Sequence, residues 1–163
     1  MAAPSVHREG VEVFESVATG MGPLLDRLLA APAARVAEQA AIPKAPGVYL
    51  FTKDEAAVYV GQTRNLRNRL RDHTNPLSRE NQASFAFLVA KVEAEKAEID
   101  IKRSRKILEA DERFAEHFRA AKGQVAEMEV RFIQLAGPIE RTLFEIYAAL
   151  ALDTLVFNSF ETH

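Results

Sequence analysis

The chain has 163 residues, of which 48% are apolar and 27% charged, and it contains no cysteine. This length and composition are typical of one soluble globular domain with a substantial core. The lack of cysteine excludes disulfides, thiolate catalysis and cysteine-based zinc sites. The net charge of −2 argues against a protein that coats nucleic acid through bulk electrostatics, so any phosphate contact must come from a local patch.

Membrane segments and local metal signatures are not expected. No apolar run reaches the length of a transmembrane helix, and the first ten residues lack the order of a signal peptide. We therefore expect a cytoplasmic protein with no membrane partner. The four histidines lie too far apart in sequence for a familiar local metal signature.

The N-terminal segment has apolar residues at helical spacing. The pattern predicts helix over residues 11–31, broken midway by Gly20, Gly22 and Pro23. We interpret residues 1–41 as a helical extension packed on the domain. The prolines that follow favour an extended approach to the first strand, so the core domain is expected over residues 42–163.

Two short segments echo each other. Gly47-Val48-Tyr49 and Tyr59-Val60-Gly61 have the β-branched and aromatic content of strands, and the polar residues 52–56 between them predict a hairpin turn. The number of residues in the loop decides whether Tyr49 and Tyr59 share a face. An odd number places them across from each other on one face, and an even number places them on opposite faces.

Helical patterns dominate after the hairpin. Thr63 is expected to cap a helix that the pair Asn75-Pro76 ends. Two further helices are expected over residues 83–95 and 101–122, the second of them stopped by Gly123.

The C-terminal part is predicted to contain a strand over residues 130–135 and a helix that begins at Gly137-Pro138 and reaches about Leu152. Apolar residues surround Glu145 in this helix, which implies that its carboxylate is buried. A buried carboxylate is costly unless it is paired or binds a metal. Two alternatives follow: an ion pair with Arg141 four residues earlier, or a magnesium site completed by water and substrate phosphate.

A basic stretch of ten residues follows the hairpin, with four arginines and one acid. On a helix, Arg69 and His73 share one face, and Arg64, Arg67 and Arg71 form a neighbouring stripe. The planar fork of arginine suits phosphate because it donates two parallel charge-assisted hydrogen bonds. A solvated helix face is the alternative, but the position after a tyrosine hairpin favours a functional role.

Taken in order along the chain, these residues resemble the GIY-YIG nuclease family. The two tyrosine segments stand where that family has its two motifs, and the stretch from Tyr59 to Leu70 is especially similar to the nuclease domain of bacterial excision-repair endonucleases. The resemblance implies an α/β sandwich with a small three-stranded antiparallel sheet flanked by helices. The segment at about 77–125 is longer than compact members need, so we interpret it as a helical insertion or cover.

The resemblance also implies the site residues. The catalytic set would be Tyr49, Tyr59, Arg69, His73, Glu145 and Asn158. Tyr49 would deprotonate or orient the attacking water, helped by Tyr59, and His73 would hydrogen-bond the phosphate or assist Tyr49. Arg69 would clamp the scissile phosphate. Nucleic acid would also contact Gly61, Arg64, Arg67 and Arg71.

The metal would be Mg²⁺ or Mn²⁺ held by Glu145, with Asn158 orienting the metal shell or the substrate. Asn158 by itself would be interpreted as a turn residue. Gln62 departs from the family pattern, where lysine or serine is common, and so leaves one auxiliary phosphate contact unassigned.

The expected function is a metal-dependent endonuclease that hydrolyses phosphodiester bonds in DNA. The sequence lacks a recognisable separate DNA-binding module, so targeting is expected from the insertion, the N-terminal segment, dimerisation or a partner protein. Two alternatives are a non-catalytic nucleic-acid-binding module, and a helical interaction protein whose residues 85–118 present a partner surface. Convergence of Tyr49, Tyr59, Arg69 and Glu145 in one cleft distinguishes the three.

Overall fold

The computed structural model describes residues 7–160, so the first six residues of the predicted extension and the last three of the chain lie outside it. Its elements in chain order are α1 (Arg8–Thr19), α2 (Met21–Ala30), β1 (Gly47–Lys53), β2 (Ala56–Thr63), α3 (Leu66–Thr74), α4 (Ser84–Lys96), α5 (Arg105–Ala110), α6 (Glu112–Glu127), β3 (Glu129–Gln134) and α7 (Pro138–Ala151). The strands form one antiparallel sheet in the order β2-β1-β3. The predicted fold class, a small three-stranded antiparallel sheet flanked by helices, is confirmed.

A tight turn joins β1 to β2. Asp54 and Glu55 both have positive φ, 50° and 65°, which is the backbone geometry of turns that match the twist of the two strands. Lys53 and Ala56 on either side are already paired in the ladder. The turn is therefore shorter than the predicted run of residues 52–56.

A β-bulge decides which face of the sheet the tyrosines occupy. The turn has an even number of residues, so an uninterrupted register would put Tyr49 and Tyr59 on opposite faces. The register shifts next to Phe51, which pairs with Tyr59, and Val58 is the extra residue on β2. Tyr49 and Tyr59 consequently lie on one face of the sheet.

Helices cover both faces of the sheet. One face, which carries Tyr49, Phe51 and Tyr59, packs against α3, α4 and α6. The other face, which carries Val48 and Leu50, packs against α2 and α7. The predicted break in the N-terminal helix is confirmed at Gly20. Met21, Leu24 and Leu28 of α2 are buried against the sheet, whereas α1 has no buried residue.

The aromatic residues of α4 and α6 are buried. Phe85, Phe87, Phe114 and Phe118 are all at most 4% exposed, so α4 and α6 form the core over one face of the sheet. This burial contradicts the alternative in which residues 85–118 present a partner surface. α6 also continues through Gly123 to Glu127, because packing outweighs the cost of about 1 kcal/mol for a glycine inside a helix.

Three helix predictions need correction in detail. The single helix expected over residues 101–122 is divided into α5 and α6, because Asp111 ends the first and caps the second. α3 begins at Leu66 and is capped by Asn65, whose side chain accepts the backbone N–H of Asn68 at 3.1 Å, so Thr63 is not the cap. α7 is not buried all round, since its apolar residues Ile146, Tyr147 and Leu150 are exposed. Across residues 7–160, none of the helices combines the length and the apolar character that a membrane span requires.

Candidate active site

Tyr49 and His73 form a buried pair between β1 and α3. Their Oη and Nε2 atoms lie 2.8 Å apart, and both side chains are 0% exposed. The Nδ1 atom of His73 has no hydrogen-bond partner in the described part of the chain. Because His73 is enclosed, it is placed to hold the Tyr49 hydroxyl, and it does not reach a phosphate at the surface.

Gly61 makes room for the Tyr49 ring. Gly61 lies directly opposite Tyr49 in the ladder, and a Cβ atom built on Gly61 would overlap the phenol ring and hydroxyl of Tyr49. Gly61 is also buried. The structure therefore gives this glycine a packing role beneath Tyr49, and its expected contact with nucleic acid stays a prediction.

Tyr59 lies on the same face, closer to the surface. Its ring stacks on Phe85 of α4 with a centroid distance of 4.5 Å and an angle of 5°, and its centroid is 6.3 Å from that of Tyr49. The side chain is 9% exposed. Phe85 thus fixes the plane of the ring through which Tyr59 presents its hydroxyl.

Arg69 connects these groups to solvent. It lies one helical turn before His73 on α3 and is half-buried. Its Nη2 donates to Ser84 Oγ at 2.7 Å and its Nη1 donates to the Gln82 carbonyl at 3.1 Å. These bonds aim the guanidinium at the tyrosine side of the sheet, where it is an electrostatic neighbour of both Tyr49 and Tyr59.

Glu145 approaches the same point from α7. It is half-buried, and its neighbours are Gln62 of β2 and the guanidinium of Arg69. Arg141 points elsewhere: it donates to the Leu135 and Ala136 carbonyls at 3.1 and 2.9 Å and to Gln62. Within residues 7–160 no ion pair joins Arg141 to Glu145, so the structural-pair alternative is not supported.

Burial sets the protonation states beneath Arg69. It raises the pKa of Tyr49 far above the ordinary phenol value, and the opposing effect of the Arg69 cation is smaller. Burial likewise raises the pKa of Tyr59. Burial, helped by Arg69, holds the pKa of His73 well below its usual range. Both phenols and the imidazole are therefore neutral at pH 7.

The donor set fits a hydrated divalent cation. Burial raises the pKa of the Glu145 carboxyl, and hydrogen bonds from Gln62 and the charge of Arg69 oppose that effect. No group of three or more acidic or histidine ligands is present among the described residues. One carboxylate at a solvent-accessible position is what Mg²⁺ uses when water and substrate phosphate supply the other ligands.

Asn158 ties the C-terminal segment to β2. Its Oδ1 accepts the backbone N–H of Val60 at 3.1 Å and its Nδ2 donates to the Val60 carbonyl at 2.7 Å. Thr154 donates to the same Oδ1 at 2.9 Å. The amide thus closes the free edge of β2 between Tyr59 and Gly61, and it acts on the site by holding that strand.

The three remaining arginines have different surroundings. Arg64 precedes α3 and is exposed, and Arg71 is exposed and lies 3.5 Å from Asp72. The Nε of Arg67 donates to the Ile42 carbonyl at 2.7 Å. Arg67 therefore helps to fix the segment before β1, and the three do not form one continuous stripe.

Sequence reasoning missed one contributor to the site, Ser84, and left another, Gln62, without a role. Ser84 accepts a hydrogen bond from Arg69, and Gln62 joins β2 to α7 through Thr142 and Arg141. Gln62 stands next to Gly61 on a strand already assigned to the site, so its position was a usable signal. No sequence signal pointed to Ser84, because only the packing of α4 on α3 brings it to Arg69.

Arg69 is a shared neighbour of the residues expected to converge. Tyr49, Tyr59 and Glu145 all have Arg69 as an electrostatic neighbour. Residues 45–110 match the UvrC-like GIY-YIG domain. The resemblance to the GIY-YIG family is thereby confirmed over a segment that contains Tyr49, Tyr59, Arg69 and His73, whereas Glu145 and Asn158 lie beyond it.

Solved structures of one GIY-YIG domain are similar to this chain. They are of the N-terminal endonuclease domain of UvrC from Thermotoga maritima. One, bound to magnesium as its catalytic divalent cation, has 19% identity, covers 74% of this chain and 91% of that chain, and gives a TM-score of 0.42. A point mutant bound to the catalytic divalent cation has 18% identity, with 74% and 90% coverage and a TM-score of 0.41. The curated proteins contain no match.

Proposed function

We propose that the protein is a metal-dependent endonuclease that hydrolyses phosphodiester bonds in DNA. The observation that carries the proposal is the position of Arg69, a half-buried cation held by Ser84 and Gln82 between the tyrosines and Glu145. A guanidinium fixed in this way can bind two phosphate oxygens and stabilise the negative charge that develops in the transition state.

Tyr59 orients the attacking water, and the enclosed Tyr49 supports it from behind. Base catalysis by a Tyr49 phenolate is disfavoured, because burial raises the pKa of Tyr49. The hydroxyl of Tyr59 is nearer the surface, and Tyr49 lies behind it with its own hydroxyl held by His73. His73 therefore assists Tyr49, which is one of the two roles expected for it.

Glu145 would hold the metal ion, in line with the divalent cation named for the similar UvrC domain. Mg²⁺ or Mn²⁺ supplies Lewis-acid stabilisation of phosphate oxygens when it is bound. Burial raises the pKa of Glu145, but hydrogen bonding by Gln62 and the charge of Arg69 both lower it and so favour the carboxylate form. In the hydrolysis, the attacking water gives up a proton to solvent as its oxygen bonds to phosphorus, the bond to the ester oxygen breaks, and that oxygen takes up a proton from solvent.

The test is cleavage of supercoiled, linear, branched and single-stranded DNA with Mg²⁺, Mn²⁺ or chelator. Glu145→Gln should remove metal-dependent cleavage and keep or slightly raise thermal stability, because Arg141 does not depend on this carboxylate. Metal-supported cleavage at the wild-type rate, together with reduced stability, would show that Glu145 has a structural role instead.

The non-catalytic alternative makes a distinct prediction for the same substrates. A binding module would retain DNA without nicking it under any metal condition. Wild-type protein that binds all four substrates and cleaves none of them would support that alternative.

A further inference from the structure

A cleft lined by basic residues lies beside the candidate active site. Its volume is about 660 Å³, and its lining comes from α4, from the loop before α5 together with the first residue of α5, and from the C-terminal segment. The charged residues in it are Lys91, Lys102, Arg103 and Arg105. The loop itself is part of a basic run over residues 102–106, with four cations in a chain whose net charge is −2.

One face of α4 connects this cleft to Arg69. Ser84, Leu88 and Lys91 have the spacing of residues that share a helix face, and Ser84 is the residue that binds Arg69. Leu88 and Lys91 line the cleft. Seven residues of helix rise about 10 Å, so Lys91 lies within a few nucleotides of the phosphate that Arg69 would hold.

The C-terminal segment connects the cleft to the site a second time. Ser159 lines the cleft, and the preceding residue, Asn158, is bonded to Val60 of β2 next to Tyr59. The cleft is therefore connected to the candidate site in two ways, through α4 to Arg69 and through Asn158 to β2.

Of the four cations that line the cleft, the two arginines are bonded to other parts of the protein and the two lysines are available to bind a ligand. Arg103 is bonded to Asp111 at 2.9 Å, and Arg105 donates to the Glu80 carbonyl at 3.2 Å and lies over the Phe87 ring. Lys91 and Lys102 take part in no ion pair among residues 7–160. The arginines thus fix a basic wall from which the two lysines can neutralise phosphates.

We propose that this cleft binds the phosphate backbone of the DNA about three nucleotides from the cleaved bond. The spacing follows from the 10 Å along α4 and a rise of about 3.4 Å per phosphate on one strand. The proposal rests on the proposed function for the identity of the nucleic acid. It assigns Lys91 and Lys102 to substrate binding, and it gives the segment between α3 and α6 a role in positioning DNA.

Affinity for a labelled DNA duplex, measured by fluorescence anisotropy in chelator, tests the proposal without requiring cleavage. Lys91→Ala/Lys102→Ala should weaken binding by on the order of tenfold or more at 0.1 M salt, and it should lower the slope of log affinity against log salt by about 1.8. The matched control is Arg8→Ala/Arg27→Ala, which removes the same charge from exposed positions on α1 and α2. The control should bind like the wild type.

Duplex length provides a second measurement. Shortening the duplex so that it no longer reaches the cleft should weaken wild-type binding and leave the double lysine variant unaffected. Equal affinity of the lysine variant and the wild type would overturn the proposal, and so would an equal loss in the control. Failure of the proposed function is distinguishable, because it would appear as absence of cleavage in metal while this binding difference in chelator persists.

Discussion

Arg69 has the central role in the proposed mechanism. Its bonds to Ser84 and Gln82 hold the guanidinium in place before a substrate arrives, so little reorganisation is needed when phosphate binds. A fixed cation stabilises negative charge more strongly at a half-buried position than in open solvent, because the surrounding dielectric constant is lower.

Arg69→Ala should reduce cleavage by about 10²-fold or more, since transition-state charge loses its main cationic partner. Arg69→Lys should rescue poorly, because an ammonium lacks the planar fork that binds two oxygens. Steady-state nicking rates and melting temperatures of both variants check this. A rate near that of the wild type in the alanine variant would remove Arg69 from the mechanism.

His73 should make stability depend on pH. Its pKa in the folded protein is lowered by burial and by Arg69, so between the folded value and the unfolded value of about 6.5 the unfolded chain binds more protons. Stability should therefore fall as pH drops below about 6.5, by at most about 1.4 kcal/mol per pH unit. Urea unfolding at pH 5 to 8 measures this slope.

His73→Gln is the comparison for that slope. Glutamine can still hydrogen-bond the Tyr49 hydroxyl but does not titrate, so the variant should lose the part of the pH dependence that His73 causes. An identical pH dependence in the two proteins would show that His73 is not buried in the neutral form.

At the scale of elements, the β1–β2 hairpin positions the two tyrosines of the site. The bulge at Val58 brings Tyr49 and Tyr59 to one face, and Gly61 leaves the space that the Tyr49 ring fills. Asn158 then holds the edge of β2 at Val60. The geometry of the tyrosines therefore depends on three features that do no chemistry themselves.

Gly61→Ala should displace Tyr49 and cost about 1–3 kcal/mol of stability, because the new methyl group overlaps the phenol ring. Gly123→Ala is the matched control, since a Cβ atom there meets nothing within 4 Å. Alanine inside α6 should stabilise the protein by up to about 1 kcal/mol. Urea unfolding of both variants checks the prediction, which fails if Gly61→Ala is as stable as the wild type.

At the scale of the whole molecule, cationic charge is concentrated locally in a protein with a net charge of −2. The arginines near α3 have different environments, so we expect some of them to affect DNA binding alone and others to affect stability as well. Arg64 is exposed and outside the helix, whereas Arg67 is bonded to the Ile42 carbonyl.

Arg64→Ala should lower the salt slope of DNA binding by about one unit and leave stability unchanged. Arg67→Ala should lower the melting temperature as well, because it removes the bond that holds the segment before β1. Salt-dependent binding and thermal unfolding of both variants test this separation. A salt slope unaffected by Arg64→Ala would show that this arginine is a solvated surface residue.

The sequence by itself determined the features that depend on local order. The tyrosine segments, the break at Gly20 and the strand ahead of α7 all follow from nearest-neighbour patterns, and the structure confirms them. The same patterns correctly placed Arg69 and His73 on one helix. Local patterns suffice here because propensity and periodicity are properties of contiguous residues.

Only the tertiary structure decided which of these residues meet and in what state. The bulge at Val58 depends on pairing between strands, and the contact of Ser84 with Arg69 depends on how α4 packs. Arg141 turned away from Glu145 because carbonyl groups at the end of β3 accept its hydrogen bonds. Burial, hydrogen-bond partners and protonation states all depend on groups distant in sequence, and so the chain order alone could not determine them.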